Sequence, residues 1–114
     1  ACLARCDAIV ICVPTPLNKL KEPDISHVLD AARTIRKHLR RGQLVILEST
    51  TYPGTTDEAI LPEISRPGLR VGRDFYLCFS PERIDPGNRD FPLQRIPKVV
   101  GGLTPGCARL AKLL

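Results

Sequence analysis

Glu82 is the residue of this sequence best suited to move a proton. It lies in the stretch Ser80-Pro81-Glu82-Arg83-Ile84-Asp85-Pro86-Gly87-Asn88, directly after the apolar run Phe75-Tyr76-Leu77-Cys78-Phe79. A carboxylate at the mouth of a sheet, against apolar side chains, can have its pKa raised by desolvation and then act as a general base. A salt bridge with Arg83 or Arg89 accounts for the same residues, and the residue types alone do not choose. A second polar group, Ser49-Thr50-Thr51, follows the run Leu44–Leu47 and leads into Tyr52-Pro53-Gly54. Three hydroxyls close to a helix N-terminus suit an anion, an amide or an ordered water, and ordinary capping is an equal alternative. A third, Thr15 between Pro14 and Pro16, follows Ala8–Val13; by itself this segment reads as a stiff turn that leaves a strand.

Each polar group thus ends an apolar run, and the runs define the elements that must hold them. Ala8–Val13 and Leu44–Leu47 do not alternate, which suits strands buried on both faces of a parallel sheet. Phe75–Phe79 is a third strand, and Ile96–Val100 a shorter fourth, with Gly101-Gly102 as a turn. Between the first two strands, Asp24 can cap a helix whose Ile25, Val28, Leu29, Ala32, Ile35 and Leu39 share one face, with Gly42 as its stop signal. Between the second and third, Thr55 and Glu58 match a capping box, and Pro62 should bend the helix that follows or end its regular part. Pro105 opens a last helix. Strands alternating with helices imply an α/β fold, with a mostly parallel sheet, flanking helices and right-handed crossovers. Ligands of such sheets bind beyond the carboxyl ends of the strands, where all three polar groups fall. The expectation is one shared rim.

Composition narrows the classes. Of 114 residues, 43% are hydrophobic, so a folded core is expected rather than disorder. There is no Trp and no Met, not even at position 1, so the core is aliphatic and Ala1 is read as an internal residue of a longer chain. The net charge is +5, concentrated in Arg33, Arg36, Lys37, Arg40 and Arg41 at the end of the first helix. Cations there complement the helix dipole, and with no aromatics interleaved the pattern argues against nucleic acid. No run approaches the roughly 20 apolar residues of a membrane span. The five cysteines, Cys2, Cys6, Cys12, Cys78 and Cys107, are odd in number and irregular in spacing. That excludes a disulfide framework and fits the cytoplasm. His27 and His38 lack partners at metal-ligand spacing, and Cys2 with Cys6 lacks a second pair, so no metal is expected. Neither G-x-G-x-x-G nor G-x-x-x-x-G-K-[ST] occurs, so the sheet has no phosphate-cradling loop of its own.

With these motifs placed, the sequence resembles the nucleotide-sugar dehydrogenases, the UDP-glucose/GDP-mannose dehydrogenase family. Five ordered blocks carry the resemblance: DAIVICVPTPL, PDISHVLDAARTI, QLVILESTTYPGTT, FYLCFSPERIDPGN and IPKVVGG. The wording of the third and fourth is similar to the branch acting on UDP-N-acetylhexosamines; the UDP-glucose branch tends to read S-N-P-E-F-L-x-E-G. The resemblance implies the second half of an N-terminal Rossmann-type NAD-binding domain. It implies NAD as cofactor, a nucleotide sugar as substrate, and a homodimer or higher assembly. The implied reaction is a two-step oxidation of the sugar's primary hydroxyl, through a cysteine-bound thioester, to a carboxylate. By motif match, Glu82 takes the acid/base role and Thr50 positions water near the nicotinamide. Val13, Pro14 and Thr15, with Ser49 and Thr50, line the cofactor, while Arg83, Ile84 and Asp85 join Glu82 along the sugar. Where UDP-glucose members carry a second glutamate, this sequence has Pro86, and Asp85 is the substitute at hand. The family's glycine-rich loop and its G-x-G-G-H-C cysteine would lie outside residues 1–114, and Cys107 lacks that context. The fragment alone should therefore be inactive. A non-catalytic nucleotide- or sugar-binding domain and another NAD-dependent hydroxyacid-type dehydrogenase are the alternatives.

Overall fold

The apolar runs become a four-stranded sheet. In the computed structural model, which describes residues 2–82 and 97–114, β1 (Ala8–Ile11), β2 (Leu44–Leu47) and β3 (Tyr76–Phe79) lie parallel and side by side. The register is level: Ile11 is opposite Leu47, and Leu47 is opposite Phe79. β4 (Gly101–Gly102) adds to β3 in the antiparallel sense, Phe79 facing Gly101 and Cys78 facing Gly102. The shorter fourth strand expected at Ile96–Val100 is thus displaced onto the glycine pair that was read as a turn. Residues 97–100 have no regular structure, and residue 96 lies outside the described residues.

Side chains alternate across a strand, so β2 feeds two cores at once. Val45 and Leu47 join Ile9, Ile11, Leu77 and Phe75 on one face, under Val28, Ala32, Ile35 and Leu39 of the first helix region. Leu44 and Ile46 join Cys78 on the other, under Cys107 and Ala111 of α3 (Pro105–Ala111). Burying one such aliphatic side chain stabilises by about 1.5–3 kcal/mol, which makes the central strand the anchor of the fold. All four β2 residues are buried. β1 differs from the expectation of burial on both faces, because Val10 is 44% exposed. α3 lies over β2 and β3, and among the described residues no helix covers that side of β1.

Helix α1 (Ser26–His38) presents its expected apolar face inward. Asp24 sits two residues ahead of it, and its Oδ1 accepts the Ser26 N–H at 2.9 Å. That hydrogen bond holds the Asp24 carboxyl below its usual range. Gly42 does not terminate this helix. The chain turns extended at Leu39, and Gly42, at φ 83°, serves the turn into β2 by donating its N–H to Asp74 O.

The capping box at Thr55 and Glu58 is also not formed. The Thr55 hydroxyl donates to Tyr52 O at 2.7 Å, and Gly54 O takes the Glu58 N–H at 2.8 Å. Gly54 itself is at φ 89°, and a Cβ there would sit 3.0 Å from the Glu58 side chain. The helix begins as a wide π turn (Thr55–Ile60) and tightens to α2 (Leu61–Ile64) at Pro62, whose ring and missing N–H forbid an ordinary α register through that point. At the other end of the sheet order, glycine is required at position 102 for lack of space. A Cβ there would meet Ala108 N at 2.2 Å, because α3 rests its first turns directly on β4.

Candidate functional site

The level register sends the three polar exits out of one edge of the sheet. Cys12–Thr15 follows β1, Glu48–Thr51 follows β2, and Ser80–Glu82 follows β3. The backbone binds the exits one step beyond the strands: Glu48 N–H donates to Ile11 O and Ser80 N–H to Leu47 O, both at 2.9 Å.

Ser49 locks the first two exits together. Its buried hydroxyl accepts the Val13 N–H at 2.9 Å and donates to Val13 O at 2.8 Å. One side chain therefore satisfies both backbone groups of a residue next to a proline that can donate nothing. Val13 and Thr15 are half-buried and Pro14 is exposed. Thr50, next to Ser49, is exposed on the same rim, and Thr51 is half-buried. Thr51 to Asp57, with Phe79 and Pro81, line a cleft of ≈ 390 Å³. Among the residues expected at the site, Val13 and Ser49 are thus in direct contact, and Pro14, Thr15, Thr50 and Glu82 share their edge. Arg83, Ile84 and Asp85 lie outside the described residues.

Three residues at this edge were not singled out by their sequence. Glu48 Oε1 receives the Lys98 ammonium at 2.5 Å, and its other oxygen faces Cys12 Sγ at 3.6 Å. The hydrogen bond to Glu48, reinforced by the charges of Glu48 and Glu82, raises Lys98 above its ordinary pKa. Cys12 is exposed as a residue, yet its thiol is pushed up, first by desolvation and then by the charge and hydrogen bond of Glu48. It therefore stays protonated at neutral pH, which is unfavourable for a nucleophile. Glu82 is exposed, and its charge reaches both Cys12 and Lys98. Ser80 is the third: it is buried, its hydroxyl has no hydrogen-bond partner among the described residues, and it lines a cleft of ≈ 410 Å³ with Ile46, Glu48, Lys98, Val100 and Lys112. A charge placed directly after a strand was the available signal for Glu48. Nothing local marks Lys98, fifty residues away.

The two buried cysteines serve packing. Cys78 is wholly buried, its Sγ donates to Cys107 O at 3.1 Å, and desolvation pushes its pKa to about 11. The buried Cys107 thiol meets the Thr104 hydroxyl at 3.2 Å, and the same hydroxyl accepts the Cys107 N–H to cap α3. Among the described residues no group of three or more His, Cys, Asp or Glu could hold a metal ion, and no helix is long and apolar enough to cross a membrane.

Known proteins resemble this chain in sequence and fold. Residues 1–114 match the UDP-glucose/GDP-mannose dehydrogenase family, NAD binding domain. The sequence is 41% identical over 113 residues to a UDP-N-acetyl-D-glucosamine 6-dehydrogenase of Pseudomonas aeruginosa, a match that covers 98% of this chain and 27% of that protein. It is 40% identical over 108 residues to a UDP-N-acetyl-D-mannosamine dehydrogenase of Pyrococcus horikoshii, covering 95% and 26%. Among solved structures, a UDP-N-acetyl-mannosamine dehydrogenase of Staphylococcus aureus superposes with a TM-score of 0.82 at 36% identity, over 94% of this chain and 26% of that one. A GDP-mannose dehydrogenase of P. aeruginosa, solved as a ternary complex, gives 0.79 at 28% identity, over 97% and 27%. These likenesses bear out the α/β, Rossmann-type reading. The chain spans about a quarter of the length of the curated relatives it matches.

Proposed function

Because the chain belongs to the UDP-glucose/GDP-mannose dehydrogenase family, we propose that it is the second half of the NAD-binding domain of a nucleotide-sugar 6-dehydrogenase. The whole protein would oxidise the primary hydroxyl of a UDP-N-acetylhexosamine, or of UDP-glucose, to a carboxylate in two steps. The carrying observation is the edge where β1, β2 and β3 end level, with the Ser49 hydroxyl joined to Val13 and Glu82 three residues past the end of β3. The names of relatives near 40% identity favour an N-acetylhexosamine over glucose.

The residues present fit one portion of NAD. Thr50 and Thr15 place hydroxyls, and Val13 and Pro14 a backbone already held in place, on an open edge beyond parallel strands. Two hydroxyls, with the Val13 and Pro14 carbonyl oxygens as acceptors, suit a neutral carboxamide and ribose. The anionic pyrophosphate has no glycine-rich cradle within residues 1–114. Bound there, NAD supplies the hydride acceptor. The first oxidation removes a hydride from the sugar's primary carbon and a proton from its hydroxyl; the second repeats this once a thiol or water has added to the aldehyde and supplied a new O–H, so a base is needed twice. Glu82 takes that proton in this reading, Thr50 orients the water used in the second step, and Ser49 keeps Val13 from shifting. Arg83, Ile84 and Asp85 are assigned to the sugar on motif grounds. Cys12 and Cys78 carry raised thiol pKa values, Cys107 is wholly buried, and Cys2 and Cys6 precede β1 at the opposite end of the sheet, so a covalent step would use a cysteine from another part of the protein. A cytoplasmic location and assembly as a homodimer or higher oligomer belong to the same reading; light scattering on the full-length protein checks the latter.

The test is NADH formation by the full-length protein with NAD and, in turn, UDP-N-acetylglucosamine, UDP-N-acetylmannosamine and UDP-glucose. Turnover of one N-acetylhexosamine, two NADH per sugar, is expected. Binding of NAD and sugar without NADH from any of the three would instead mark a non-catalytic binding domain. Glu82→Gln should lower kcat by roughly 100-fold, the lower end of what a general base contributes.

A further inference from the structure

The cations that close α1 are joined in space by a second group that their sequence does not bring near. Segment 66–75, which leads into β3, is pinned to segment 39–43, which leads into β2. The Arg66 guanidinium donates to Leu39 O at 2.9 Å, and the Gly42 N–H donates to Asp74 O at 2.7 Å. The buried Asp74 carboxylate takes both the Arg70 N–H, at 2.9 Å, and the Arg41 guanidinium. Arg66, Arg70 and Arg73 thereby join Arg36, Lys37, Arg40 and Arg41 at the amino end of the sheet. Two carboxylates answer these seven cations: Asp74, and Asp7, which binds Arg40 at 2.7 Å. The surplus of five equals the net charge of the whole sequence, so all other charged residues cancel.

The buried polar groups of this end are satisfied, but the cations on its surface are not. The side chains of Lys37, Arg70 and Arg73 are exposed and make no hydrogen bond or ion pair among the described residues. The charge of Arg36 reaches Glu63, a carboxylate already bound by Arg33. The helix dipole accounts for Arg36 and Lys37 in the last turn of α1. It does not account for Arg70 and Arg73, which lie in the turn before β3. Like charges gathered in this way repel and work against folding, unless an anionic partner meets them. The chemistry of the surface selects that partner. Among the described residues no large exposed apolar side chain falls within 36–43 or 66–75, so the anchor of a protein interface is missing. Phe75 is wholly buried, so no aromatic is offered to a stacked base. The helix end presented is the carboxyl end of α1, whose free groups are carbonyls. A discrete phosphate, free or in a duplex, favours the N–H groups of a helix amino end instead. Long and mostly guanidinium side chains without a cradle suit many phosphates spread over a plane.

We propose that the amino end of the sheet is a peripheral docking surface for anionic lipid membranes, with Arg36, Lys37, Arg70 and Arg73 meeting the headgroup phosphates. The contact is electrostatic and reversible, since no apolar side chain of these segments is placed to enter the bilayer. The strands then point their carboxyl ends, and the Ser49–Val13 rim with them, away from the lipid and toward water. The inference does not depend on the reaction assigned above.

The experiment is co-sedimentation of the full-length protein with vesicles of phosphatidylglycerol or of phosphatidylcholine. Wild type should pellet with the anionic vesicles only and be released by high salt. R70A/R73A should lower the partition coefficient by roughly 25-fold, about fivefold for each cation removed. K19A/K21A removes the same charge from the loop beyond β1, at the other end of the strands, and should change partitioning by less than about twofold. Unfolding midpoints within a few degrees of wild type show that the variants are folded; if R70A/R73A fails this check, R36Q/K37Q carries the same expectation. Failure of wild type to bind phosphatidylglycerol vesicles overturns the inference. So does wild-type binding by the folded variants, or an equal loss in K19A/K21A. Tighter binding to duplex DNA than to the vesicles, lost in R70A/R73A, overturns it in favour of a nucleic-acid surface.

Discussion

The two ends of the parallel strands both carry polar side chains and treat them in opposite ways. At the amino end, the buried polar groups are closed on one another. Gln43 is fully buried, its amide nitrogen donates to Leu3 O and Cys6 O at 2.8 Å each, and its oxygen accepts the Arg40 N–H at 2.8 Å. Arg40 adds bonds to Ala4 O, Cys6 O and Asp7, and the buried Asp74 is held by Arg41 and by the Arg70 N–H. At the carboxyl end, Thr50 is exposed, Ser80 is buried with no partner among the described residues, and the Glu48–Lys98 pair borders an open cleft. Buried polar groups are normally satisfied, so an end that satisfies them all holds the fold together, and an end that leaves buried capacity over is shaped for something else. Fold class alone would not separate these roles; the hydrogen-bond inventory does.

Four substitutions in the full-length protein would break or sharpen that contrast. The largest effect is expected from Gln43→Ala, which strips three hydrogen bonds from a closed network and should cost about 3 kcal/mol in denaturant unfolding at unchanged m. A loss below about 1 kcal/mol would mean that water replaces the amide and that the amino end is not closed. Ser49→Ala comes next, at about 1–2 kcal/mol, because Val13 N–H loses its acceptor. It should also lower kcat, since the rim would loosen. Thr50→Val should leave stability within about 0.5 kcal/mol, as befits an exposed side chain, while turnover falls about tenfold; a matching drop in stability would return Thr50 to an ordinary structural role. Ser80→Ala is the smallest. Removing an unpartnered buried hydroxyl should be neutral to within about 0.5 kcal/mol, and a loss above 1 kcal/mol would show that the hydroxyl has a partner in the complete protein.

The same contrast explains what could be read from residue order. Leu44–Leu47 was legible because a strand covered on both faces must be apolar without interruption, and no other local structure of that length needs this. The inward face of α1 was legible for the equivalent reason at helical period. Ser49, Thr50 and Glu82 stood out because each follows a recognisable strand. β4 did not, because Gly101 and Gly102 pair through backbone alone, and Gly102 is required by the space that α3 denies to a Cβ. The capping box at Thr55 and Glu58 had the correct spacing, but Gly54 O, presented in the left-handed conformation, reached the Glu58 N–H first. The Gln43 amide nitrogen and the Lys98 ammonium find their partners 37 to 50 residues away, and no local pattern encodes such distances.

One hydroxyl at the rim has a kinetic consequence. Val13 lies two residues past the end of β1, in a loop closed by prolines, where amide protons ordinarily exchange with solvent through small local fluctuations. Because Ser49 belongs to the exit of the central strand, freeing the Val13 amide requires the β1 and β2 exits to part. Its exchange rate should therefore follow the slow amides of the sheet rather than the fast ones of the loop, so the rim opens on the timescale of the core.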